Sequence, residues 1–87
     1  MCTYISNSTA VSGAGRGASG WFRIDRATVG FDHPTFSSSN HALLLDFAAR
    51  SPDLSARVAV ELDLESGRAL LRALAETIHE AEASSVA

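Results

Sequence analysis

His33 and His41 bracket the seven-residue stretch PTFSSSN, and they are the residues best suited to chemistry in this chain. Imidazole titrates near neutral pH, so two such rings side by side can exchange protons with a bound substrate, one of them oriented by Asp32 or Asp46. The same two rings joined by Cys2, the single thiol, offer nitrogen and sulfur donors to zinc or another transition metal. A third reading gives them no chemistry: both lie at a sheet rim, solvated or bonded to loop carbonyls and to the hydroxyls of Ser37, Ser38 and Ser39. The residue types fit all three.

Two β-type segments position the pair. WFRIDRATVGFDH, from Trp21 to His33, and HALLLDFA, from His41 to Ala48, alternate apolar and polar residues and are joined by the short loop. The hairpin register that buries most sets His33 opposite His41, Phe31 opposite Leu43, Val29 opposite Leu45 and Ala27 opposite Phe47. The imidazoles then stand about 5 Å apart at their Cβ atoms, at the end of an otherwise apolar face. Phe31 and Leu43 line a small pocket beside them in this reading, and Phe36 in the loop serves as its lid. The alternation slips within the first segment. Phe22 and Ile24 share one parity, whereas Ala27, Val29 and Phe31 share the other, as a β-bulge near Arg26 produces.

The flanking chain supplies the remaining elements. Cys2 to Ile5 reads as a short edge strand. From Ser12 to Gly20 the run SGAGRGASG reads as a glycine-rich loop, with Arg16 at its tip to meet an anionic group. GRGASG carries the letters of a dinucleotide fingerprint, but that motif works only between a strand and a helix, and Trp21 opens a strand, so no nucleotide cofactor is expected. Val58, Val60 and Leu62 alternate with Arg57, Ala59, Glu61 and Asp63 as a half-buried strand. Asp63 can cap a helix over about 64–83, on which Leu70, Leu71, Leu74 and Ile78 recur at helical spacing. His79 falls on that helix's polar side and reads as solvated.

The element order predicts an α+β protein: one domain spanning 1–87, an antiparallel β-meander of about four strands, and a C-terminal helix packed on one face. Phe22, Ile24 and Leu44 are expected on the opposite face, and a chain this small gains by burying them against a second copy, so a homodimer is expected.

Composition bounds the function. Of 87 residues 46% are hydrophobic and 20% charged, as in folded chains and unlike disordered ones. Seven arginines and no lysine face ten acids, a net charge of -3, which disfavours nucleic acid as a partner. A single cysteine forms no intrachain disulfide and suits a reducing compartment. The first residues lack the pattern of a signal peptide, and no apolar run approaches the 18 or so residues of a membrane span. A cytoplasmic protein without membrane contact is expected.

The segments MCTYI, Gly20-Trp21, Asp32-His33-Pro34 and HALLLDF from His41 together resemble a family of short actinobacterial proteins known only as a domain of unknown function. The resemblance implies no activity. It places Cys2, Asp32, His33 and His41 inside the shared motifs, and the all-arginine basic set makes a role in secondary metabolism conceivable.

Two functional expectations follow. In the first, a dimeric α+β protein binds a small molecule beside His33 and His41, with Phe31, Phe36, Leu43 and Arg16 around it and acid/base or metal-assisted chemistry open to it. In the second, it is a non-catalytic homodimeric interaction module. A closed pocket at the histidines favours the first, and a flat apolar patch beside solvated histidines favours the second.

Overall fold

The computed structural model describes residues 5–49 and 56–84. Four strands, β1 (Ile5–Gly17), β2 (Gly20–Asp32), β3 (Ala42–Ala48) and β4 (Arg57–Leu62), form one antiparallel sheet in the order β1-β2-β3-β4, and helix α1 (Leu64–Ala83) follows. This is the expected α+β meander with one C-terminal helix.

The β2–β3 register is the one that burial selects: Phe31 pairs with Leu43, Val29 with Leu45 and Ala27 with Phe47. Across β3, Leu43 meets Leu62, Leu45 meets Val60 and Phe47 meets Val58. Because strand residues of one parity share a face, these pairs make one continuous apolar face. The other face is polar: an Arg57–Asp46 ion pair bridges β4 and β3 at 2.6 Å, and the Ser8 and Thr28 hydroxyls share a hydrogen bond across β1 and β2 at 2.9 Å.

The glycine-rich stretch is not a loop. Ser12 to Gly17 belong to β1, and only Ala18 and Ser19 turn the chain, with Gly20 entering β2 at φ 112°. Pairing with β2 supplies the order that side chains do not. Ala10 pairs with Arg26 and Gly13 with Ile24, so β1 carries one extra residue there, a bulge that lies on β1 rather than on β2. Bulges add twist and bend, and the far end of this hairpin curls back over the apolar face. The evidence is at Gly15, where a Cβ would stand 2.6 Å from Ile24 Cδ1 and 3.4 Å from Val58 Cγ2. The absence of a side chain lets the outermost strand close on β4.

Ile24, which has the parity of Thr28 and Gly30 on β2, is brought near Val58 by this curl and is buried there. Leu44 does lie on the polar face, paired with Gly30 and Glu61.

Helix α1 starts where the sequence places it. Asp63 caps it, its carboxylate accepting the Ser66 N–H at 2.7 Å. That bond, reinforced by the Ser66 hydroxyl, holds the Asp63 carboxyl below its ordinary range. Packing on the sheet is mainly against β3. At Gly67 the helix backbone rests against Leu43 so closely that a Cβ would collide with its Cδ1. Past this turn the helix is uncovered: Leu70, Leu71, Leu74 and Ile78 are 46%, 64%, 56% and 51% exposed.

The resulting core is small. Only Ile24, Ala27 and Ala42 are buried among the described apolar residues, at 7%, 9% and 3% exposure, and no side chain is fully enclosed.

Candidate functional site

The hairpin brings the two histidines together. Their ring centroids are 4.8 Å apart at an interplanar angle of 28°, and His41 also stacks on Phe31 at 5.4 Å and 18°. Phe31, His41 and His33 thus form a short pile of rings at one end of the apolar face. His33 Nδ1 lies 2.8 Å from the Asn40 carbonyl, and since a carbonyl only accepts, Nδ1 carries the proton. Both histidines are exposed.

Stacking limits what the pair does jointly. Imidazole lone pairs lie in the ring plane, and two nearly parallel rings direct them along separate planes rather than toward one ion about 2 Å from each nitrogen. Among the described residues, no group of three or more histidine, cysteine, aspartate or glutamate side chains is placed to hold a metal. Cys2, the third donor expected from sequence, lies outside the described residues.

The other expected site residues divide. Asp32 is adjacent, but its carboxylate accepts the His33 backbone N–H at 2.7 Å, a local turn contact. Phe31 and Leu43 border an open apolar groove of about 360 Å³, together with Ile5, Val29 and Leu64. Phe36 does not lid this groove: its side chain is 95% exposed. Arg16 is not brought to the site at all. It pairs with Trp21 at the far end of the hairpin, whereas Ile5 pairs with Phe31 beside the histidines. Eleven residues of strand separate the two ends, about 35 Å.

One residue that sequence reasoning passed over organises the loop. The Glu61 carboxylate accepts backbone N–H bonds from Thr35 at 2.6 Å, Phe36 at 3.1 Å and Ser37 at 2.9 Å. The Ser37 bond contributes most to holding this carboxyl below its ordinary range, partial desolvation opposes it, and the Phe36 and Thr35 bonds add to it. Glu61 belongs to β4 beside Leu44, so it pins the loop over the polar face while the imidazoles remain at the end of the apolar one. The sequence alone does not single it out, because Asp32, of the same face and adjacent to the loop, is an equal candidate acceptor.

The chain belongs to a family of unknown function (DUF6295), which matches residues 1–87. No curated protein and no solved structure matches it. No helix among the described residues is long and apolar enough to cross a membrane.

Proposed function

We propose that the protein works as a homodimeric interaction module in which a second copy covers the apolar face and helix α1. The observation that carries this reading is the surface left open. A folded 9.2 kDa monomer exposes about 4,900 Å², and this chain exposes 6878 Å². The excess, about 2,000 Å², is what each partner gives up in an obligate dimer. Its radius of gyration, 14.7 Å, likewise exceeds the roughly 12 Å of a compact chain this long. Val29 and Val60 on the apolar face and Leu64, Leu70, Leu71, Leu74 and Ile78 on the helix are exposed, the kind of large apolar side chain an obligate interface buries. The setting that fits is the reducing cytoplasm, given one cysteine. Light scattering tests the reading: twice the 9.2 kDa chain mass supports it, and a single-chain mass at high micromolar concentration overturns it.

The ring stack beside an apolar groove favours a second reading, in which a small molecule lies on Phe31 and is oriented by His33 and His41. A thermal-shift screen of the native protein and its His41→Ala variant tests it. A ligand that raises the native melting temperature and loses its effect in the variant supports this reading, and its absence removes it. Metal analysis of tag-free protein decides whether Cys2 joins the histidines around zinc or a similar ion. A stoichiometric ion lost in the same variant supports that form of the site, and none removes it.

A further inference from the structure

We infer that the two copies join through α1, the helices packing antiparallel about a twofold axis near Ala75. This rests on the homodimer reading and names its contact. The exposed stripe on α1 is spaced for a helix partner: Leu71, Leu74 and Ile78 follow one another at intervals of three and four, the repeat of a paired-helix seam. The charges choose the direction. At 100° per residue, Arg68 and Glu82 are the charged residues that flank this stripe, and both lie on the same side of it. Fourteen residues, about 21 Å, separate them along the helix, so they cannot meet within one chain. Neither has an ion-pair partner in its own chain among the described residues.

An antiparallel partner with its axis near Ala75 sets Arg68 level with the partner's Glu82, and the converse, while Leu71 falls beside the partner's Ile78. Parallel pairing leaves Arg68 and Glu82 as far apart as they are within one helix. The helix ends agree with this choice. The last turn of α1 holds no basic residue although Glu80 and Glu82 stand at its negative pole. An antiparallel partner brings Arg68 to that pole and opposes the two helix dipoles.

The test uses the full chain with Cys2→Ser, so that added cysteines are the only thiols, and carries Arg68→Cys with Glu82→Cys. Mild oxidation should give covalent dimers whose peptide map contains 68–82 links between chains. Links of 68 to 68 and 82 to 82 mean parallel helices and overturn the inference. A species that light scattering reads as a dimer but that forms no link places the interface elsewhere and also overturns it, leaving the homodimer reading standing. A single-chain mass for the native protein overturns both. In a separate pair of variants, Arg68→Glu should weaken the dimer about tenfold at low salt, and adding Glu82→Arg should restore it. A weakening that the second change fails to rescue counts against the pairing.

Discussion

The two faces of the sheet are finished to different degrees. On the polar face every element answers another: Arg57 holds Asp46, Ser8 holds Thr28, and Glu61 takes up the N–H groups of the loop between the histidines. Among the described residues, no buried side-chain polar atom lacks a hydrogen-bond partner. On the apolar face only the end near Val58 is closed, by the curled β1–β2 hairpin, and the groove at Phe31 and Leu43 stays open beneath a helix that touches it for one turn. Among the described residues, buried side-chain hydrogen bonding is complete and apolar burial is not. Polar groups are satisfied at short range by neighbours in sequence or register, whereas burying an apolar face takes a second layer, which 87 residues build only in part.

The largest test of this contrast is Leu74→Glu. On a monomer, an exposed helix position tolerates the change within about 0.5 kcal/mol. At the seam of a dimer it places a carboxylate in a desolvated contact twice over, and the dissociation constant should rise at least about 100-fold. Sedimentation over a range of concentrations separates the two outcomes, and an unchanged mass would put the helix outside any interface.

Gly15→Val tests the closed end. The new side chain meets Ile24 and Val58, and such overpacking costs about 1–3 kcal/mol in urea unfolding. Gly13→Val is the control, since nothing stands within 4 Å of its Cβ position, and it should leave stability unchanged or slightly raised. Equal effects at the two positions would mean that the hairpin does not curl over β4.

A smaller effect is expected on the polar face. The Glu61 carboxyl is held below its ordinary 4.5 in the folded chain, so its bonds to the loop stabilise the fold above that pH, and the contribution is lost as pH falls through the lowered value. Hydrogen-exchange protection at Thr35, Phe36 and Ser37, taken relative to the intrinsic rate at each pH, should fall on acidification below 4.5, and Glu61→Gln should show the low protection already at neutral pH. Protection that ignores both changes would assign the loop's order to something other than this carboxylate.

These differences also explain which features the residues reveal by themselves. The β2–β3 register was legible because shifting it by one residue would send Phe31, Leu43, Val29 and Leu45 to the polar face. Helix α1 was legible from its stripe and from Asp63. β1 was misread where it lacks side chains: Gly13, Gly15 and Gly17 leave no alternation to detect, and their place in a strand is set by β2 and by the closeness of Val58. The apolar stripe of α1 was visible, but whether it meets its own sheet or another chain depends on the angle at which the helix leaves β4, which local sequence does not encode. At the site, the closeness of His33 to His41 followed from the register. The distance to Arg16 did not, because Ser12 to Gly17, which read as loop, form about 20 Å of strand that carries Arg16 away from the histidines.

The extra residue between Ala10 and Gly13 bears on how the proposed self-association would stop at two copies. β1 and β4 are the outer strands of the sheet, and an outer strand of thirteen residues is a template onto which further copies can add without limit. The bulge interrupts that template midway, breaking the regular ladder a newcomer would need and turning the hairpin tip back toward β4. For a chain with so much apolar surface to hide, this favours contact through faces, which a twofold axis closes at a pair, over growth along edges, which ends in filaments.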